Sequence, residues 1–135
     1  DPTVGQSTPE FDNPTDVGTQ CYVTANGGTL VGERDVDNGS TTLISPVFDV
    51  STYGDPHIKF DFWFFNANLS GNSPNDTLKV RLTDGTQTVT AMNLSISNSA
   101  WFTRQIRISD FITSAGSGSF RGQLLLRGTA WQKKQ

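Results

Sequence analysis

Apolar and polar residues alternate along much of this chain with the period of two that belongs to extended strands. In Leu78-Lys79-Val80-Arg81-Leu82 the aliphatic side chains fall on one side and the cations on the other, which predicts a strand with one dry face and one wet face. By the same parity Ile58, Phe60, Phe62 and Phe64 share a face, and Lys59, Asp61, Trp63 and Phe65 share the opposite one. The first set reads as core. The second mixes charge with large rings, which marks a surface partly covered by loops or by a ligand. Runs of β character span residues 20–25, 41–50, 56–66, 76–83, 87–96, 101–108 and 120–127. Strand-breaking stretches bound them, among them Asn26-Gly27-Gly28, Asp37-Asn38-Gly39 and Gly71-Asn72-Ser73-Pro74. Asp84-Gly85 sits between two such runs and predicts a hairpin. No stretch has useful helical periodicity, and residues 109–113 supply one short turn at most. The expected fold is all-β, a two-sheet antiparallel β-sandwich.

Residues 1–19 carry prolines and glycines and no periodic apolar pattern, so they are expected to form an extended acidic lead-in packed on a sandwich built from residues 20–135. The length of 135 residues suits one core between two layers. No apolar run approaches the roughly 20 residues a membrane-spanning helix needs, so no membrane span is expected. The start, Asp1-Pro2-Thr3-Val4, has neither a basic nor an apolar leader region, and an export signal is expected to lie outside this sequence. Cys21 is the one cysteine, which excludes an internal disulfide framework and a thiolate zinc cluster.

Charge is unevenly distributed. Up to Asp55 nine carboxylates face the single base Arg34, and from Pro56 onward nine bases face four acids, giving −8 and +5 within a net −3. The plain explanation is two halves that neutralise each other on folding. The sharper one is a cation site. Glu33, Asp35 and Asp37 alternate in a loop that ends at Gly39, and Asp12 and Asp16 are the distant acids placed to join them. Calcium takes six to eight oxygen ligands at about 2.3–2.6 Å, which two loop carboxylates, backbone carbonyls and an acid from a second segment can supply. The glycine and closing glutamate of an EF-hand are missing, so this is not one. The competing reading is a solvated acidic turn capped by Arg34.

Lys59, Asp61, Trp63 and Phe65 form a second candidate site, extended by Arg81 and, further along, by Trp101 and Arg107. Sugar recognition pairs an aromatic platform, which stacks on the C–H face of a pyranose, with charged and amide groups that bind its hydroxyls. Against this stands simple coverage of Trp63 and Phe65 by neighbouring loops, since aromatic residues pack more often than they bind. Catalytic constellations are not found. His57 is the one histidine and lies in a turn without a serine or cysteine nucleophile context. Both glutamates, Glu10 and Glu33, belong to the acidic first part, and nothing in the sequence selects a pair of aspartates for glycoside hydrolysis. The late-strand bases are too interleaved with acids for nucleic acid.

Several stretches in order carry a resemblance: Gly18-Thr19-Gln20-Cys21-Tyr22-Val23-Thr24, then Asp35-Val36-Asp37-Asn38-Gly39-Ser40-Thr41-Thr42-Leu43-Ile44-Ser45-Pro46-Val47-Phe48-Asp49-Val50, then the aromatic strand ending at Asn66, then Asp76-Thr77-Leu78-Lys79-Val80. Together they resemble the jelly-roll accessory domains, similar to MAM and galactose-binding-like sandwiches, that adjoin the catalytic domains of secreted bacterial peptidases and surface proteins. The likeness runs over residues 18–111, and the run from Asp35 to Asp49 is its most specific part. The aromatic opening strand and the acidic closing pair usual in such domains are not recognisable here. The resemblance implies jelly-roll topology, secretion, a structural calcium ion that pins the lead-in to the sheet, and contact with adjacent domains of a parent protein. The expected function is a non-enzymatic, calcium-stabilised accessory module that binds glycan or a cell-surface polymer. A structural or protein–protein domain without carbohydrate binding is the alternative.

Overall fold

The computed structural model describes residues 12–15, 17–23, 40–66, 76–96, 98–113, 121–128 and 132–133. Its regular structure is strand: β1 (Tyr22–Val23), β2 (Thr41–Ile44), β3 (Phe48–Asp49), β4 (His57–Phe64), β5 (Leu78–Thr83), β6 (Thr88–Leu94), β7 (Asn98–Arg107), β8 (Arg121–Gly128) and β9 (Gln132–Lys133). A 3-10 turn, Ile108–Asp110, follows β7. The chain is all-β, as its alternation predicts.

Pairing among the described strands is antiparallel throughout. One sheet runs in the order β2, β8, β5, β6, with β3 also paired to β8. Ile44 faces Leu125 and Phe48 faces Gly122, so β2 and β3 are two pieces of the single run expected over residues 41–50. The interruption falls on Ser45-Pro46-Val47, where Pro46 lacks the N–H that a ladder bond requires. Strands β4 and β7 form a separate pair, and β1 pairs with β9. Strand β9 has no counterpart in the sequence reading, because Gln132 and Lys133 carry no apolar alternation that would reveal a strand.

The predicted hairpin joins β5 to β6. Thr83 faces Thr88, leaving residues 84–87 as the connection. The Asp84 carboxylate closes it: Oδ1 accepts from Thr86 N at 2.9 Å, Thr86 Oγ1 at 2.8 Å and Gln87 N at 2.8 Å. Gly85 sits at φ +89°, a conformation that costs a residue with a Cβ and costs glycine nothing sterically.

Parity in β5 holds closely. Leu78, Val80 and Leu82 are 1%, 0% and 0% exposed, while Lys79 and Arg81 between them are half-buried on the other face. These aliphatic residues reach across to the other strand pair. Leu78 clusters with Phe62 and Phe64 of β4, and Val80 and Leu82 cluster with Ile106 of β7 and with Ile108 and Ile112 beyond it. Burial of each such side chain stabilises by about 1.5–3 kcal/mol, so this shared apolar layer holds β5 against β4 and β7.

Asn66 fastens the end of the same layer. It is 6% exposed, and its Nδ2 donates to the carbonyls of Asp76 and Ser95, each at 2.8 Å. One amide thereby ties the chain leaving β4 to the entry of β5 and the exit of β6.

Candidate functional site

The β4–β7 ladder builds the candidate surface. Its register sets His57 opposite Arg107, Lys59 opposite Gln105 and Asp61 opposite Thr103. Directly opposed residues in an antiparallel pair project to the same side, so these pairs form one row. Ile58, Phe60 and Phe62 project the other way, toward Val80, Leu82 and Leu78 in the core. The face expected for Lys59, Asp61 and Trp63 is therefore the one turned away from the core.

At one end of the row the ladder is irregular. Phe62 faces Phe102 but Phe64 faces Asn98, which places extra β7 residues, Trp101 among them, beside Trp63. The two indoles meet edge to face, with ring centroids 6.1 Å apart and planes at 77°. Both are half-buried. The Trp63 Nε1 atom is buried and has no hydrogen-bond partner, an unusual state for an indole N–H. Phe65, just past the end of β4, is also half-buried.

Moving along the row, the Thr103 hydroxyl donates to Asp61 Oδ1. Lys59 and Gln105 are exposed. At the far end Arg107 Nε donates to Asp55 Oδ1 at 2.6 Å, and Arg107 Nη1 lies 3.6 Å from Asp110 Oδ1. The hydrogen bond from Arg107 holds the Asp55 carboxyl below the usual carboxylate range, and the same bond raises Arg107. His57 Nδ1 lies 2.9 Å from the Asp55 carbonyl; because a carbonyl only accepts, the bond requires the imidazole proton on Nδ1.

Of the residues expected to bind ligand, Lys59, Asp61 and Trp63 share this face, Phe65 adjoins it, and Trp101 and Arg107 join it from β7. Arg81 does not. It lies on β5, between Val80 and Leu82 of the core, opposite Leu125 of β8 and Thr90 of β6. Its side chain belongs to the outward face of the other sheet. Thr103 and Gln105 enter the row without any signal in the sequence, because only the pairing of β4 with β7, across more than forty residues of chain, aligns them.

Asp16, Glu33, Asp35 and Asp37 fall outside the described residues. Asp12 is described and half-buried; its Oδ1 accepts from Asn13 N at 2.8 Å, while its Oδ2 is buried without a hydrogen-bond partner. Among the described residues no three His, Cys, Asp or Glu side chains gather as a metal site. No helix among the described residues is long and apolar enough to cross a membrane. The chain matches no protein-family model, and no curated protein and no solved structure is significantly similar to it.

Proposed function

We propose that the protein is a non-catalytic accessory module of a secreted bacterial protein, and that it binds glycan on the outward face of β4 and β7. In this reading the two strand layers close as a β-sandwich of jelly-roll topology, with β5 as the strand whose inward residues touch both core clusters. The observation that carries the function is the row itself. An aromatic pair at one end, Trp63 with Trp101, continues into Asp61, Thr103, Lys59 and Gln105 on the same face. Such a row offers ring surface for sugar C–H groups and both donors and acceptors for hydroxyls.

Calcium belongs to the same proposal. The lone buried Oδ2 of Asp12 fits a cation better than it fits a protein interior, because a buried carboxylate oxygen is otherwise satisfied by donors. Asp12 would hold the ion with Asp16, Glu33, Asp35 and Asp37, and the ion would supply a staple between the acidic lead-in and the sheet. Glycan binding is tested by pull-down on insoluble polysaccharides. The wild type is expected to bind and Trp63→Ala to lose binding with an unchanged circular-dichroism spectrum. Lys59→Ala with Gln105→Ala, confined to exposed positions, weakens binding without touching the indole packing. Retention of full affinity by both variants would remove the face from the site, and a wild type that binds no polymer would leave a structural or protein–protein role.

A further inference from the structure

We infer that the glycan taken by the β4–β7 face is a neutral one, and that the face discriminates against uronate and sulfate polymers. The inference rests on the glycan-binding reading above and concerns only which class of glycan is bound. An anionic sugar needs a cation free to meet its carboxylate, and Arg is the residue best shaped for that, through its paired donors. Arg107 is the one guanidinium on this row, and it is already engaged, with Asp55 at 2.6 Å on one nitrogen and Asp110 at 3.6 Å on another. Arg104, the neighbouring guanidinium of β7, faces Phe60 across the ladder and so projects to the opposite side. Lys59 remains, two residues from Asp61 on the same face. The row and its end together carry three carboxylates, Asp55, Asp61 and Asp110, against two cations, Lys59 and Arg107. A polyanion approaching the face therefore meets net negative charge, and it would have to compete with Asp55 and Asp110, which already offset the guanidinium's charge.

The same arrangement suits hydroxyls. Strand geometry spaces Lys59 and Asp61 by roughly 6–7 Å along β4, which sets an ammonium donor beside a carboxylate acceptor. Opposite them Gln105 offers both an N–H and a C=O, and Thr103 stiffens the acceptor by donating to Asp61 Oδ1. A ring of hydroxyls, each able to donate and accept, matches this alternation; a carboxylate, which only accepts, does not.

Affinity electrophoresis of the whole chain tests this in gels containing soluble neutral β-glucan, galactan or mannan, and in gels containing polygalacturonate or alginate. Retardation is expected in at least one neutral gel and none in either polyuronate gel at low salt. The double variant Asp55→Asn/Asp110→Asn, which frees Arg107 at two exposed positions, is expected to gain retardation in polyuronate that fades as salt is added. Retardation of the wild type by polyuronate equal to or stronger than by every neutral polymer would overturn the neutral preference and leave glycan binding standing. Retardation in no gel at all would overturn both.

Discussion

At the scale of single residues, two polar side chains do more for this fold than their exposure suggests. Asn66 spends its amide on two carbonyls from separate segments, and Asn66→Ala leaves both without that donor. The expected cost is about 1–3 kcal/mol, seen as a lower melting temperature in a thermal denaturation curve. Asp84 acts through charge. Hydrogen bonds from Gln87 N, then from the Thr86 hydroxyl and Thr86 N, hold its carboxyl well below the usual carboxylate range. A carboxyl depressed in the folded state is protonated first in the unfolded chain, so its stabilising effect is present above the unfolded value of about 3.9 and is lost as the pH falls below it. The stability difference between wild type and Asp84→Ala is therefore expected to be largest near neutrality and to shrink in urea titrations run at progressively lower pH from 4 downward. A difference that grows on acidification would contradict this assignment. Neither role was visible in the sequence. Asp84-Gly85 announced a turn, but which carboxylate oxygen would gather the loop N–H groups depends on backbone geometry that composition does not encode.

At the scale of elements, parity within a strand was legible and partnership between strands was not. The alternation through Leu78, Val80 and Leu82 assigned the buried face of β5 correctly because every second residue of a strand is forced to the same side. Leu82→Ala is accordingly expected to lose about 2–5 kcal/mol in chemical denaturation, whereas Lys79→Ala on the opposite face of the same strand loses far less. Equal losses would mean that β5 does not separate a dry face from a wet one. Gly85→Ala belongs here as well. Nothing lies within 4 Å of the added Cβ, so its cost is the backbone strain of φ +89° alone, about 1 kcal/mol. The run over residues 41–50 looked continuous by its β-formers, and Pro46 divides it by withholding one N–H. Arg81 shows the deeper limit. Its parity, outward from the core, was right, but parity says nothing about which sheet a strand joins, and β5 pairs with β6 and β8 rather than with β4. The same limit hid Thr103 and Gln105, whose place beside Asp61 and Lys59 is fixed by a ladder between distant segments.

At the scale of the whole molecule, the first part of the chain crowds carboxylates, and a cation held by Asp12 and its proposed partners would offset their mutual repulsion. Anything that binds the folded state alone raises its stability. Removal of divalent ions with EGTA is expected to lower the melting temperature, and calcium alone is expected to restore it; a melting temperature indifferent to both would remove the ion from the account. The central proposal is that, of the outward faces of the strand layers, the one on β4 and β7 is the face that meets a sugar. Backbone and indole amide NMR spectra recorded while a neutral oligosaccharide is titrated into the full chain test it most directly. The account predicts that shifts concentrate at Lys59, Asp61, Thr103, Gln105 and the Trp63 and Trp101 indoles, with β5 and β6 unmoved. Shifts centred on Arg81 and Thr90 instead, with the β4–β7 resonances unchanged, would contradict it.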